Sequence, residues 1–429
     1  MNNTLSCDVL VIGGGAAGVA AATAAGRTGA RVVLLERYGF LGGLATAAQV
    51  GTICGLYLRD TAGAEATPVG GGFAQEFARR LQRATDAKPI RVTDTGLWVL
   101  PCDPPAFAAV ADAMVSESEN VTLILHATVA ETQVEGSRLT RVGALVWNEP
   151  LHFRPQTVVD CTGEATAAAL AGARAENGAA DQAPALVFVL VNVDPALAQR
   201  GLLEVRRELR RAVAGGTLPA LCERLSLVPG TGADNRMALK LSLLPAQPDR
   251  ALWRQITDWE REARALVEPL CRFLIENVVS CRQAHLGSVA PQLGVRSGRR
   301  ILGRARLADE DVLGARKSPR GIARGGWPME RWTNRPGPEM TCFAERDYYE
   351  IPLDCLRPVE LDNVWVAGRC LSATTGAMTS ARVIGTALAT GWAAGTAAAF
   401  QASARSLEEA VTAIRRSMNG GAPDLTQAD

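Results

Sequence analysis

Histidine is scarce in this sequence, and its cysteines are not spaced as pairs of metal ligands. Only 3 of the 429 residues are histidine, and none of the 10 cysteines forms a CxxC motif. A structural zinc site needs closely spaced cysteine and histidine ligands, so we expect no metal site. Scattered cysteines without a disulfide pattern are typical of a reducing compartment, and we therefore expect a cytoplasmic protein.

The sequence also lacks an excess of charge of either sign. Its 45 lysine and arginine residues nearly balance 44 aspartate and glutamate residues, so no overall field favours nucleic acid or an anionic membrane. No lysine or arginine precedes Val11, and three consecutive glycines interrupt the apolar stretch that follows, which argues against a secretory signal. No run of about 20 strongly apolar residues occurs, so we expect no transmembrane helix.

A glycine turn near the N-terminus separates an apolar run from a helix-compatible run. The segment GGGAAG at 13–18 follows a strand predicted for Cys7 to Ile12, and a second predicted strand, Arg31 to Leu35, ends at Glu36. In such a βαβ unit the glycines permit a tight turn, a close approach of pyrophosphate and close packing of the helix. The helix N-terminus offers N–H groups and a positive dipole end to phosphates. Glu36 accepts hydrogen bonds from ribose hydroxyls, which disfavours a 2′-phosphate.

The segments that follow favour FAD over NAD. Gly42-Gly43 comes just after Glu36, where an extended cofactor would cross the ends of the strands. Short alternating strands between 122 and 153, with a turn at 135–137, predict a β-meander inserted into the fold. The meander leads to a separate buried strand at 157–160 and to a turn at Thr162-Gly163.

A strand, a turn and a small-residue helix are predicted near the C-terminus. The strand Val364–Val366 ends in a turn at 367–369, and one helix is predicted from Gly376 to about Ala399. We expect the positive N-terminal end of this helix to face a flavin ring, because the reduced flavin anion carries charge near N1 and C2=O.

Together these segments resemble the FAD-dependent oxidoreductase family with the glutathione-reductase type of FAD fold. The segments LGVRSGRRILG at 293–303 and IPLDCLRPVELDNVWVAGRCLSAT at 351–374 are similar to the motifs of one branch of that family. The chain departs from the branch at Ser297-Gly298, where the family often has Glu-Thr, and at Trp332, near which a family histidine is not evident. We expect both departures to fall in the substrate region.

The resemblance implies an α/β fold with a doubly wound, Rossmann-like FAD-binding domain, an inserted β-meander and a mixed α+β substrate domain. We expect a discontinuous FAD-binding domain over 1–50, 105–180 and 350–402, a substrate domain over 51–104 and 181–349, and a C-terminal helix and disordered tail over 403–429.

The resemblance also implies which residues contact each part of FAD. At the pyrophosphate we expect Gly13, Gly15, Ala17 and Gly18. At the adenosine half we expect Glu36 on the ribose, Arg37 beside it, the backbone of Val129 on the adenine, and Thr162 and Gly163. Along the path to the flavin we expect Gly42, Gly43 and Thr46. At the ribitol or phosphate we expect Gly368 and Arg369, and at the ring the segment from Ser380 to Ile384.

Three residues are candidates for substrate chemistry, and each has a structural alternative. Arg296 would grip a carboxylate through two parallel hydrogen bonds, or else it joins a salt-bridge network. Tyr349 would act as an acid or orient a hydroxyl, or else it packs in the core. Cys370 would be a reactive thiol, although buried free cysteines usually only pack.

We expect an FAD-dependent dehydrogenase or oxidase that takes a hydride from a small organic substrate onto flavin N5. The electrons would pass to oxygen or to an external carrier. The missing CxxC and the missing second strand–GxGxxG–helix unit argue against a disulfide reductase. Two alternatives stay open. One is an NAD(P)H-dependent flavin monooxygenase, although such hydroxylases commonly have Gly-Asp where this chain has Gly368-Arg369. The other is a non-catalytic flavin-binding subunit.

Overall fold

The computed structural model describes residues 3–92, 95–178, 182–231, 235–247 and 250–421. The predicted disordered end past residue 421 and the predicted domain boundary at 180–181 lie outside these ranges. The strands are β1 (Thr4–Ile12), β2 (Val32–Leu35), β3 (Thr52–Ile53), β4 (Ile90–Val92), β5 (Leu97–Pro101), β6 (Val121–Ile124), β7 (Ala127–Glu135), β8 (Arg138–Val146), β9 (Glu149–Asp160), β10 (Ala175–Asn177), β11 (Ala185–Val191), β12 (Leu225–Leu227), β13 (Arg236–Ser242), β14 (His285–Val289), β15 (Arg299–Ile301), β16 (Gly321–Gly325), β17 (Met329–Arg331), β18 (Glu339–Thr341), β19 (Tyr349–Pro352) and β20 (Val364–Val366). The helices are α1 (Ala16–Arg27), α2 (Leu44–Ala47), α3 (Phe73–Thr85), α4 (Pro104–Ser116), α5 (Thr166–Leu170), α6 (Pro195–Ala214), α7 (Leu252–Asn277), α8 (Asp309–Leu313), α9 (Thr375–Ala381), α10 (Ile384–Ala402) and α11 (Leu407–Met418).

The main sheet is built on the predicted βαβ unit. β1 pairs in parallel with β2 on one side and with β9 on the other, and β2 pairs in parallel with β6. β20 pairs in parallel with the last residues of β9. β2 and the second half of β1 are fully buried, which explains their continuous apolar sequence, because parallel strands are covered on both faces. The predicted α/β fold is confirmed.

The predicted β-meander is present as β7, β8 and the first half of β9. β7 pairs antiparallel with β8, and β8 pairs antiparallel with residues 149–153 of β9. The turn between β7 and β8 contains Gly136 with a φ of 62°, in agreement with the turn predicted at 135–137.

The prediction of two separate strands at 152–153 and 157–160 is wrong, because β9 runs through both. Pro155 does not break the strand, because β1 pairs with residues 152–160 of β9 and Pro155 lies opposite Cys7 in that pairing. On its other side β9 has β8 as a partner up to residue 153 and β20 from residue 158. Pro155 therefore lies in a stretch that has a strand partner on one side only, where a missing N–H costs little.

A second hydrophobic core lies in the segment between residues 186 and 293. It is formed by the antiparallel sheet β12-β13-β11-β14 together with α6 and α7. Most buried apolar side chains of 53–115 and 301–356 instead belong to the same core cluster as the parallel sheet, while Leu97, Val99 and Trp327 form a small third cluster with Val383. The division of the chain into two domains stays a prediction.

The single helix predicted from Gly376 to Ala399 is wrong, because the structure has two helices bent by 93° at residues 382–383. Val383 is extended, with a φ of −69° and a ψ of 155°, and Arg382 before it is held by an ion pair with Glu330. Within the described ranges, no single helix is long and apolar enough to cross a membrane, although the bent pair α9–α10 passes that test on length and composition alone.

The packing of α10 against α1 depends on two glycines. A Cβ atom on Gly391 would overlap the backbone carbonyl group of Ala17, and a Cβ atom on Gly395 would overlap that of Ala21. Glycine at these positions therefore lets the two helices approach through their backbones. This contact brings the N-terminal turn of α1 to the elements that surround the start of α10.

We expect Gly391→Ala to lower the free energy of unfolding by about 1–3 kcal/mol, because the added methyl group forces two helix backbones apart. Chemical denaturation of the variant and the parent measures the change. Gly215→Ala is the control, since Gly215 is exposed and its new Cβ would come no nearer than 3.3 Å to another atom. Equal destabilisation by both substitutions would contradict the role assigned to Gly391.

Candidate functional site

A cavity of about 510 Å³ opens at the carboxyl ends of β1 and β2, where open α/β sheets bind their ligands. The same cavity is lined by β11 and β13 of the second sheet. The residues predicted from the sequence that line it are Gly13, Gly15, Ala17, Glu36, Arg37, Gly42, Gly43, Val129, Thr162, Gly163, Arg296, Gly368, Arg369 and Ile384. Those that do not line it are Gly18, Thr46, Tyr349, Cys370 and Ser380.

The first glycine turn has the geometry of a phosphate site. Gly13 has a φ of 98°, and a Cβ atom there would lie 2.6 Å from the carbonyl oxygen of Cys161. Gly15 is the N-cap of α1 and provides no side-chain cap, so the first N–H groups of the helix are left for a ligand. A Cβ atom on Gly18 would overlap the carbonyl oxygen of Gly13. Gly18 therefore acts through helix packing and does not face the cavity.

Glu36 is held at the edge of the cavity by the backbone. Its side chain is 4% exposed, and its two carboxylate oxygens accept hydrogen bonds from the N–H groups of Gly14 (2.6 Å) and Tyr38 (2.8 Å). Burial raises the pKa of Glu36, and these two hydrogen bonds act in the opposite direction. Each carboxylate oxygen has a further lone pair, which a ribose hydroxyl can use.

The loop after β2 closes on the glycine turn. Gly42 and Gly43 both have positive φ angles, and a Cβ atom on Gly43 would lie 2.9 Å from the Cα atom of Gly15. Thr46 does not face the cavity, because its hydroxyl group donates to backbone carbonyl groups of the same loop, those of Leu41 (3.0 Å) and Gly43 (2.9 Å). Thr46 therefore shapes the loop that lines the cavity.

The break between α9 and α10 changes which helix N-terminus meets the cavity. The first turn of α9 is occupied by protein groups, since the N–H of Ala377 donates to Asp309 (2.8 Å) and to the hydroxyl of Thr374 (3.3 Å). The N-terminus of α10 has no side-chain cap, and Val383 and Ile384 line the cavity. The positive helix end predicted at Gly376 is therefore found at Ile384.

Ser380 and Tyr349 lie in the core. The Tyr349 and Ser380 hydroxyl groups are 2.8 Å apart, and the Ser380 hydroxyl group also donates to the carbonyl of Trp327. Burial raises the pKa of Tyr349 well above its usual range. This geometry supports packing for both side chains and does not support a role of Tyr349 as an acid.

Cys370 is also turned away from the cavity. Its sulfur accepts hydrogen bonds from the N–H groups of Gly163 (3.1 Å) and Ala165 (3.3 Å). Burial raises the pKa of the thiol, so it stays protonated near neutral pH. The geometry supports a structural role for Cys370, in which its sulfur fixes the turn after β9.

The segment 293–303 contributes one arginine to the cavity. Arg296 lines it, whereas Arg300 is buried against the hydroxyl of Thr375 (2.9 Å) and against Glu176 (3.2 Å). At Gly298, where the family often has threonine, a Cβ atom would overlap the carbonyl oxygen of Gly163. Gly298 therefore serves backbone packing and does not line the cavity. Trp332, the other departure, does line the cavity.

A group of charged side chains surrounds Trp332, and sequence reasoning missed most of it. The Nζ atom of Lys240 and the guanidinium carbon of Arg296 each lie 4.2 Å from the Trp332 ring centroid. Arg382 pairs with Glu330 at 2.9 Å. We call these five residues, which all line the cavity, the cation chamber. A lone lysine in the apolar strand MALKLS was the signal available in the sequence.

Burial and mutual repulsion set the pKa values in the cation chamber. Burial and, to a smaller extent, the charge of Arg296 lower the pKa of Lys240 to about 8, although Glu330 acts in the opposite direction. Burial likewise lowers the pKa of Arg296, and Arg382 adds to the effect. Burial alone would raise the pKa of Glu330, but the neighbouring cations outweigh it and hold that pKa below its usual range. The chamber thus holds three cations and one anion.

We expect Gly15→Ala to leave folding intact and to weaken binding of the predicted dinucleotide by about 10–200-fold, the usual effect of a methyl group in a closed site. The new Cβ atom would come no nearer than 3.8 Å to protein atoms, and the φ of −69° suits alanine. Titration of the apoprotein with FAD and thermal unfolding give the two readouts. Gly18→Ala is the comparison, because it should lower stability first. Unchanged FAD affinity in Gly15→Ala would refute the phosphate site.

We expect Lys240→Met to raise the free energy of unfolding of the ligand-free protein at pH 7 by on the order of 1–3 kcal/mol. The pKa of Lys240 is lowered from 10.5 to about 8 on folding, so its charge destabilises the folded state below pH 8. The gain should shrink as the pH rises from 8 to 10.5, where the lysine of the parent loses its proton. Arg296 and Arg382 stay charged throughout, since guanidinium groups stay protonated in proteins, and Glu330 stays ionised. The pKa of the neighbouring Cys54 thiol is raised to about 12, so it stays neutral.

The control for this measurement is Arg236→Met, which removes an exposed positive charge from the same strand. It should change stability by less than about 0.5 kcal/mol. Denaturant unfolding across the pH range gives both values. A Lys240→Met protein that is less stable than the parent at pH 7 would show that the lysine supports the fold instead of opposing it.

A sequence model of the family described as FAD dependent oxidoreductase matches residues 8–417. No curated protein matches the chain. A geranylgeranyl bacteriochlorophyll reductase-like protein from Thermoplasma acidophilum is 12% identical, with 98% of this chain and 81% of the other covered and a TM-score of 0.46. A flavoprotein/dehydrogenase from Cytophaga hutchinsonii is 11% identical, with 96% and 84% covered and a TM-score of 0.46. A p-nitrophenol 4-monooxygenase from Pseudomonas putida is 12% identical, with 98% and 82% covered and a TM-score of 0.43.

At these identities and TM-scores the structural likeness carries no information about substrate or reaction. The family match spans nearly the whole chain and includes the glycine turn, the cavity and the cation chamber. The chain is therefore a member of the FAD-dependent oxidoreductase family, and FAD is its cofactor.

Proposed function

We propose that this protein is a dehydrogenase or oxidase that takes a hydride from a small carboxylate-bearing substrate onto N5 of FAD and passes the electrons to oxygen or an external acceptor. The observation that carries the proposal is the continuity of the cavity. Its walls include the uncapped N-terminus of α1, the uncapped N-terminus of α10 and the cation chamber. One cavity therefore has donors for a dinucleotide and cations for an acidic substrate.

The residues present fit FAD on three grounds. Gly15 leaves space on the cavity side of the glycine turn, the N–H groups at the start of α1 lack a cap, and Glu36 offers buried acceptors. In our proposal the start of α1 holds the pyrophosphate and Glu36 holds the adenosine ribose. The uncapped start of α10 at Val383 and Ile384 stabilises negative charge on the flavin ring.

Arg296 is the proposed carboxylate anchor. It lines the cavity, and it forms no ion pair within the described ranges, where its side-chain hydrogen bond goes to the backbone carbonyl of Ala183. A guanidinium group binds a carboxylate through two parallel N–H···O bonds, which orient the substrate as well as hold it. Val187 and Val228 add apolar walls that exclude water from the bound substrate.

Anaerobic stopped-flow mixing of the FAD-loaded protein with a panel of short 2-hydroxy and 2-amino acids tests the proposal. We expect at least one acid to bleach the oxidised flavin absorbance, and NADPH alone to leave it unchanged. Rapid bleaching by NADPH would favour the monooxygenase alternative. If no acid, amine or alcohol bleaches the flavin, although dithionite reduces it, the result would favour the non-catalytic subunit.

A further inference from the structure

The cation chamber carries an excess of positive charge near Trp332. Glu330 pairs with Arg382, whereas Lys240 and Arg296 have no ion-pair partner within the described part of the chain. The Lys240 ammonium group makes no hydrogen bond to any described residue, and its contact is with the face of the Trp332 ring. The three cations of the chamber thus share one protein anion, Glu330, whose charge acts on Lys240 and Arg296 as well as on Arg382.

Such an arrangement is costly for the protein alone. Lys240 and Arg296 are half-buried, and two like charges over one ring repel each other. Arg224 adds to the positive potential of the chamber. Its guanidinium group donates hydrogen bonds to the carbonyl groups of Thr333 (2.7 Å) and Asn334 (2.7 Å). These bonds fix the segment after Trp332 and supply no negative charge. An acidic ligand would supply the negative charge that the chamber lacks.

The two cations are close enough to act on one small molecule. Both lie 4.2 Å from the same ring centroid, so their charges are at most twice that distance apart. A short aliphatic dicarboxylate can bridge such a separation. A monocarboxylate would leave one of the two cations uncompensated.

We propose that the cation chamber selects a substrate with two acidic groups, one held by Arg296 and the other by Lys240. This inference rests on the proposed function, because it takes the chamber as the substrate site beside the flavin. It assigns the substrate class, a short dicarboxylate, and makes Lys240 the residue that determines specificity for the second acidic group.

Binding of matched acids to the FAD-loaded protein tests the proposal. Succinate and glutarate are compared with butyrate and valerate, which have the same chain lengths and a methyl group in place of one carboxylate. Calorimetry and flavin difference spectra give the affinities. We expect the dicarboxylates to bind about 10–100-fold more tightly, the effect of one charge-assisted hydrogen-bonded pair. Lys240→Met should reduce this preference to within about threefold, while Arg236→Met should keep it.

Two controls separate specificity from structure. Lys240→Met is expected to be more stable than the parent without ligand, so a loss of preference in a well-folded variant reports the missing charge. Lys240→Arg keeps the charge and should retain most of the preference for dicarboxylates. Equal affinity of the parent for succinate and butyrate would overturn the proposal. The proposal would also be overturned if Lys240→Met kept the preference for dicarboxylates but changed the flavin spectrum in the absence of any acid. The lysine would then serve the cofactor.

The outcomes also separate this inference from the proposed function. If 2-hydroxy monocarboxylates bleach the flavin as efficiently as 2-hydroxy dicarboxylates, the proposed dehydrogenase or oxidase function stands. The proposed selection of two acidic groups is then overturned. Tight, Lys240-dependent binding of succinate without flavin bleaching by any hydroxy or amino dicarboxylate keeps the binding site and overturns the proposed function.

Discussion

Backbone contact between α1 and α10 positions the two helix starts that meet the cavity. Gly391 and Gly395 face the carbonyl groups of Ala17 and Ala21 with no side chain between them. The contact holds the start of α1, which has its N–H groups uncapped, beside the elements that carry Gly368 and the start of α10. A larger residue on α10 would separate the two helix ends, and a single long cofactor could then not reach both.

The second constraint is electrostatic. The protein places Lys240, Arg296 and Arg382 around Trp332 and balances them with Glu330 alone. The pKa of Lys240 is lowered by burial first and by the charge of Arg296 second. Sites that bind a charged ligand often carry this kind of local cost, because groups arranged for the ligand are poorly satisfied without it.

Sequence reasoning was most successful where the constraint is local. The glycine spacing at 13–18, the carboxylate at Glu36 and the turn at Gly136 are each fixed by a few neighbouring residues, and the structure places Gly13, Gly15 and Glu36 at one cavity. It failed where distant segments decide the outcome. Pro155 reads as a strand break, yet pairing with β1 carries the strand through it. The bend at Val383 has no proline that would predict it from the sequence, and it accompanies the ion pair of Arg382 with Glu330.

Side-chain direction was the other failure. Cys370 and Ser380 lie in segments that adjoin the cavity, but their side chains turn to the backbone groups of Gly163 and Trp327. Lys240 comes from β13, far in sequence from the flavin motifs, and only the fold brings it to Arg296.

The most direct test of the account is a crystal structure of the protein with FAD and succinate. We predict the pyrophosphate at the start of α1, the flavin ring beside the start of α10 and succinate between Arg296 and Lys240. A flavin ring placed away from α10, or a cation chamber without succinate, would contradict it.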